Sequence, residues 1–292
     1  MRRPKASRAS LLAPPPDPSA AMSWVPPQQA VVATAPVTGR WLRSPIAIWR
    51  LTRSVLHILW GVAQVLTVWD RLDARKRRER HLDWSQKMVA HLGVALEVRG
   101  TPHPSAKLVV GNHVSWLDIV AINSVMPSRF VSKAEVASWP IVGRLVTAAG
   151  TLYLVRERRR DAMRVLGIMA QALRDGDTVA VFPEGTTGPG GHVMPFHANL
   201  LQAAIDAPAP VQPVVISYRE RGHAVSPSAA YVGDIDLFQS LWMVVTARQL
   251  VVRIEFLDAR TVVHADRRTL SDQLHQDMSA ALQRTICEKT QT

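Results

Sequence analysis

Read for its alternation of apolar and polar positions, the chain falls into three stretches. From Met1 to about Gly39 there is no period: Pro14, Pro15, Pro16, Pro18, Pro26, Pro27 and Pro36 recur among Ala, Ser and Gln, a composition unable to pack a core. Disorder is expected over residues 1–39. From Ile46 to Trp69 the chain is strongly apolar. On a helical wheel Arg50, Arg53, His57, Gln64 and Arg71 gather within about 60° of one another, and the remaining circumference is greasy. The charge-free part, Ser54 to Trp69, is about 24 Å long as a helix, against a bilayer core of roughly 30 Å. A helix lying in or dipping into the headgroup region is expected, with Trp41, Trp49, Trp60 and Trp69 spaced along it. A second helix, HLDWSQKMVAHLG, should stop at Gly93, so residues 40–93 form a helical unit.

Beyond Gly93 short apolar runs alternate with helical periods. The runs are VALEVRG, AKLVVG, TLYLV, TVAVF, VQPVVISY and LVVRIEFLD. Between them DAMRVLGIMAQALRDG places Met163, Leu166, Met169, Ala170 and Leu173 at helical spacing and closes on Gly176. Strands separated by helices predict an α/β domain over residues 94–286, with a mostly parallel sheet flanked by helices and chemistry at the carboxyl ends of the strands.

Composition narrows the class. At 292 residues and 47% apolar content the chain can bury a core. The net charge of +12 suits nucleic acid, anionic lipid or an acidic substrate. Its distribution separates these options: Arg71, Arg75, Lys76, Arg77, Arg78 and Arg80 follow the Trp-rich apolar helix directly. That cluster attracts anionic lipid at roughly 1 kcal/mol per basic residue and marks a cytoplasmic face. Basic residues interleaved with exposed aromatics would point to nucleic acid, and that arrangement is lacking. A single cysteine, Cys287, excludes a disulfide framework and a Cys-based zinc site. In its helical pattern Cys287 reads as a small, partly buried apolar residue.

Two polar loops follow apolar runs. In the first, Gly111-Asn112-His113 leaves AKLVV, and Asp118 follows in the His-x4-Asp pattern NHVSWLD. Five positions within one helix would put the two side chains about 140° apart. They meet only if His113 precedes a helix that Ser115 caps and Asp118 enters, as Ser-x-x-Asp spacing allows. An alcohol is a poor nucleophile until a base near neutrality takes its proton, and a carboxylate on the other ring nitrogen fixes that base. Taken alone, the motif admits a second reading: Asp118 as a helix cap beside an ordinary loop histidine.

The second loop, Phe182-Pro183-Glu184-Gly185-Thr186-Thr187, leaves TVAVF. A carboxylate, two hydroxyls and glycine-freed N–H groups suit a glycerol headgroup, and a plain Pro-Gly turn is the alternative. Between the loops Lys133 and Arg156, near strand ends, are candidate anion ligands, one a point charge and the other a bidentate fork. His192 and His197 near Glu184 repeat no metal-ligand spacing, and no metal is expected.

Together these segments resemble the glycerolipid acyltransferase family, that of the 1-acylglycerol-3-phosphate acyltransferases. Its first block, Asn-His-x-Ser-x-x-Asp, is met by Asn112, His113, Ser115 and Asp118. The second is met by Lys133, Glu135, Pro140, Gly143, Tyr153 and Arg156, the third by Phe182 to Thr186, and the fourth by Pro210 to Val215. The resemblance covers roughly residues 80 to 285. It implies an acyltransferase of phospholipid biosynthesis on an N-terminal helical membrane anchor at the cytoplasmic side. The acyl group passes from acyl-CoA or acyl carrier protein to the free hydroxyl of lysophosphatidate, with no cofactor. His113 is then the base and Asp118 its orienter. Glu184, Gly185, Thr186 and Thr187 hold the acceptor, and Lys133 and Arg156 its anionic groups. Many members carry an Arg, associated with the acceptor's phosphate, where Thr187 stands here. Relatives acylating lyso-ornithine lipid share the blocks and give an alternative acceptor. Outside this class stand a non-catalytic membrane-binding module and an esterase using Ser115, which lacks the Gly-x-Ser-x-Gly elbow.

Overall fold

The computed structural model describes residues 45–154, 159–263 and 265–290. The expected disordered stretch, residues 1–39, lies outside them, as do Trp41 and Arg156. Among the described residues are eight α-helices, α1 (Pro45–Thr67), α2 (Ala74–Leu92), α3 (Leu117–Asn123), α4 (Val142–Ala148), α5 (Arg159–Arg174), α6 (Gln202–Asp206), α7 (Leu237–Thr246) and α8 (Arg267–Thr290). With them are seven strands, β1 (Ala95–Arg99), β2 (Lys107–Gly111), β3 (Arg129–Lys133), β4 (Leu152–Leu154), β5 (Thr178–Val181), β6 (Val211–Arg219) and β7 (Val251–Phe256).

The strands form one sheet in the order β1-β7-β6-β2-β5-β3-β4. Every neighbouring pair is parallel except β6 and β7. The alternation along each strand feeds two cores. Val109, Ala180, Val214 and Ile216 face a layer that includes Leu92, Leu117, Ile122 and Trp242 from α2, α3 and α7. Leu108, Val110, Val179, Val181 and Val215 face the opposite layer, with Met169 and Leu173 of α5 and Leu274 and Met278 of α8. Burial of each such Leu or Ile stabilises by about 1.5–3 kcal/mol, which makes the central strands the rigid floor of the molecule. All six apolar runs of the sequence are strands. The seventh strand, β3, reads RFVSK and is charged at both ends, so its pattern hid it.

Gly93 stops α2 as expected, in the left-handed conformation at φ 76°. A Cβ there would sit 2.1 Å from Arg50 Nε, so the glycine also admits the arginine that reaches across to the carbonyls of Val245 and Ala247. Met163, expected on the buried face of α5, is 64% exposed, while Leu166, Met169, Ala170 and Leu173 are buried. Cys287 is exposed on α8 rather than partly buried.

The polar stripe of α1 faces the protein. Arg53 meets His91, His57 Nε2 meets the Trp84 carbonyl at 2.9 Å, and Gln64 accepts from Arg80. The greasy face therefore looks outward: Ile48, Trp49, Leu56, Leu59, Trp60 and Leu66 are all exposed, Trp60 by 62%. Among the described residues no helix is long and apolar enough to cross a membrane.

Candidate active site

β2 ends at Gly111, and the chain leaves the carboxyl edge of the sheet through Asn112 and His113. Asn112 is buried and continues the ladder with its side chain: Nδ2 donates to the Ile216 carbonyl at 2.9 Å, and Oδ1 accepts from Ile216 N at 2.8 Å. This ties the start of the turn to β6. A Cβ on Gly111 would press to 3.1 Å from the Phe182 ring, so the glycine leaves room for that ring. His113 lies flat on it, with centroids 4.0 Å apart and planes 2° from parallel.

His113 precedes α3 and Asp118 lies in its first turn, as the spacing requires. Their side chains meet, Nδ1 to Oδ2, at 2.8 Å. The same oxygen accepts from Val114 N at 2.7 Å and Ser115 N at 2.9 Å, and Oδ1 accepts from the Tyr218 hydroxyl at 2.7 Å. The other three partners of this fully buried carboxylate, two backbone N–H groups and a phenol, donate to it, and a carboxylate has no proton of its own to give the histidine. The proton of the histidine bond therefore sits on Nδ1 and the Nε2 lone pair is left free. Nε2 has no hydrogen-bond partner among the described residues, and the His113 side chain is 18% exposed. Half of the expected capping box forms, the carboxylate reaching back to Ser115 N. The other half does not: the residue that caps α3 is Trp116, not Ser115, and Ser115 Oγ is buried without a hydrogen-bond partner among the described residues. No hydrogen bond joins Ser115 to His113, so the serine-esterase arrangement is not present.

Glu184 stands beside this pair but turns into the protein. Its Oε2 accepts from His113 N and its Oε1 from Met194 N, both at 3.2 Å. Burial pushes its carboxyl up to about 8, helped by the nearby Asp118 charge and opposed by the two backbone bonds. The loop that follows wraps the histidine turn through Gly188 N, which donates to the His113 carbonyl at 2.7 Å. Gly185 adopts φ 72°, a left-handed conformation that favours glycine. Thr186 is exposed, whereas Thr187 donates its hydroxyl to the Tyr231 carbonyl and is partly buried.

The structure thus brings His113, Asp118, Glu184 and Thr187 into one assembly. Lys133 is exposed at the carboxyl end of β3, on the same sheet edge as His113, but no hydrogen bond or ion pair joins it to them. Among the described residues no three His, Cys, Asp or Glu side chains gather as a metal site. Phe182, which the sequence places in the second loop without a role, is the floor beneath the histidine. Tyr218, which the sequence does not single out, is the fourth donor to Asp118. The one available signal for Tyr218 was a phenol on the inward face of an apolar strand, where its hydroxyl has to find a partner.

Residues 96–217, which run from β1 to β6 and hold both polar loops, match the family model described as Acyltransferase. The protein is an acyltransferase. It is 35% identical over 209 residues to the 1-acyl-sn-glycerol-3-phosphate acyltransferase of Neisseria meningitidis serogroup B, covering 70% of this chain and 82% of that one. It is 35% identical over 226 residues to the lyso-ornithine lipid O-acyltransferase of Pseudomonas aeruginosa, covering 76% and 87%. The fold is shared with the crystal structure of the 1-acyl-sn-glycerophosphate acyltransferase PlsC from Thermotoga maritima, at TM-score 0.61 and 20% identity over 82% of this chain and 94% of that one. The chain belongs to the acyltransferase family that holds the 1-acyl-sn-glycerol-3-phosphate and lyso-ornithine lipid acyltransferases.

Proposed function

We propose that this acyltransferase moves a fatty acyl group from the thioester of acyl-CoA or acyl carrier protein to the free hydroxyl of a lysolipid, lysophosphatidate being the first reading. The observation that carries the mechanism is the free Nε2 of His113, whose other nitrogen is held at 2.8 Å by Asp118. His113 takes the hydroxyl proton as oxygen attacks the thioester carbon. The C–O bond forms, the C–S bond breaks, and the imidazolium returns its proton to the departing thiolate sulfur. Asp118 stabilises the imidazolium without itself being protonated. No metal or prosthetic group enters these steps. Glu184, with Gly185 and Thr186, shapes the acceptor side of the loop, and Lys133 on the same edge binds its anionic group as a point charge. The same anion-binding role is assigned to Arg156.

One observation favours a second acceptor. Thr187, where many relatives carry a cation, spends its hydroxyl on the Tyr231 carbonyl and offers a phosphate no charge. Lyso-ornithine lipid, the acceptor in the name of the Pseudomonas aeruginosa relative, has no glycerol phosphate to bind. A panel of lysophosphatidate, lyso-ornithine lipid and lysophosphatidylglycerol, assayed for thiol release with one acyl-CoA and one acyl carrier protein, decides between them. Preferred turnover of lysophosphatidate supports the first reading, and preferred turnover of lyso-ornithine lipid the second. Thiol release independent of any lysolipid would overturn both.

The outward apolar face of α1 makes it a membrane anchor lying in the headgroup region. The basic run at Arg71–Arg80 binds anionic lipid on the cytoplasmic side. Its placement supports this: Arg75, Lys76 and Arg77 stand in the first turn of α2, where basic charge opposes the helix dipole. A local rule broken in this way is more often found where function requires it. Replacing Leu56 and Trp60 by Glu should lower partitioning onto phosphatidylglycerol vesicles by at least about a hundredfold, since two apolar anchors are lost and two charges gained. Flotation as strong as wild type would refute the anchor.

A further inference from the structure

β6 outruns its partner. Gly111, the last residue of β2, pairs with Val214, and β6 continues to Arg219 over the turn that carries His113. This overhang is fixed on three sides. The Asn112 side chain clamps Ile216 through both its backbone groups. On the other edge Ile216 and Tyr218 pair with Ile254 and Val252 of β7, and the Tyr218 carbonyl accepts from Ser226 N at 2.9 Å. Two residues beyond Ile216 and on the same strand face, Tyr218 is 3% exposed. Its hydroxyl lies 2.7 Å from Asp118 Oδ1.

Asp118 uses its two oxygens differently. Oδ2 takes all three contacts from the turn: His113 Nδ1, Val114 N and Ser115 N. Oδ1 takes the phenol alone. Without that phenol a buried carboxylate would keep one bare oxygen, a desolvated charge with nothing to balance it. It would be free to turn about its own axis and to hold the histidine's proton more tightly. A phenylalanine would fill the same apolar space, so packing does not account for the hydroxyl.

We propose that Tyr218 is a positioning residue of the acyl-transfer site. Its phenol pins Oδ1 of Asp118, fixing the plane of the carboxylate and sharing its charge, so that the carboxylate orients His113 yet lets it release its proton to the leaving thiolate. Burial and the adjacent Asp118 charge push the phenol well above its ordinary range, so it stays a donor at any working pH. The inference rests on His113 being the base, and it adds a third member to the pair, 100 positions away in the chain.

The test is Tyr218→Phe in the full chain on vesicles, with kcat, KM and the pH profile of kcat/KM measured. The titratable groups facing His113 are Asp118 from α3, Glu184 from the loop after β5 and, through Asp118, Tyr218 from β6. With one donor lost, kcat should fall about 5- to 50-fold while KM for acyl-CoA and acceptor stays within about twofold. The acid limb of kcat/KM should move to higher pH by about half a unit or more, because the uncompensated carboxylate favours the imidazolium. In an Asp118→Asn background the same change should cost less than about twofold, since the charge it balances is gone. An unmoved limb, or the same loss in the Asp118→Asn background, would overturn the proposal. Should Tyr218→Phe not fold, chain carrying 3-fluorotyrosine at its three tyrosines is a stronger donor to Asp118, and its acid limb should move the opposite way. A limb that stays in place there overturns it equally. Full activity in His113→Ala would instead remove the base on which the inference rests, so the two failures are distinguishable.

Discussion

His113→Ala is expected to lower acyl transfer from labelled acyl-CoA by at least about a thousandfold, with the protein still folded and bound to vesicles. The size follows from what the ring does at the site. Its Nε2 is a free, partly exposed ring nitrogen, since Nδ1 belongs to Asp118 and the ring face to Phe182. Neither Glu184 nor Ser115 can substitute. Both oxygens of Glu184 already accept from backbone N–H groups, and Ser115 Oγ is buried. Folding should survive because the ring itself makes one side-chain hydrogen bond, whereas the backbone of residue 113 makes the contacts that organise the loop. Turnover within tenfold of wild type would sink the mechanism.

Asp118→Asn should cost about a hundred- to a thousandfold in kcat and less than about 1 kcal/mol in stability. An asparagine oxygen in the place of Oδ2 still accepts from Val114 N, Ser115 N and His113 Nδ1, whose bonds are 2.7, 2.9 and 2.8 Å. Its amide, in the place of Oδ1, donates to Tyr218, because a phenol can accept as well as donate. The turn and the histidine tautomer are kept, and only the negative charge opposite the imidazolium is lost. Asp118→Ala is the contrasting variant: it strands two buried N–H groups and a buried hydroxyl and should unfold the turn. A near-normal kcat in Asp118→Asn would mean that the carboxylate orients the ring without stabilising its charge. Both measurements use single-turnover release of thiol, with circular dichroism and flotation as controls.

The His113–Asp118 pair could be read from the chain because its members share one short loop, and helical geometry decided which of two arrangements allows contact. Tyr218 could not be read, for the opposite reason. It reaches the site through strand order, and nothing in VQPVVISY says that β6 lies beside β2 or outruns it. The α1 stripe shows a different limit. Period gave the angular width of the polar face, but whether that face meets water or protein depends on α2, whose His91 and Arg80 claim it. Glu184 is visible in the chain as a carboxylate in the loop after an apolar run, but its orientation toward His113 N and Met194 N depends on the loop's path back over the turn. β3 was lost because five residues with charged ends carry too little period to register.

The parallel stack of His113 on Phe182, 2° from coplanar directions, has a stereochemical consequence. A nitrogen lone pair lies in the plane of its ring, so under the proposed mechanism the acceptor hydroxyl arrives edge-on, in a sheet of space parallel to the phenyl ring. In that mechanism an aromatic ring that exchanges no proton sets the plane in which the base receives the hydroxyl.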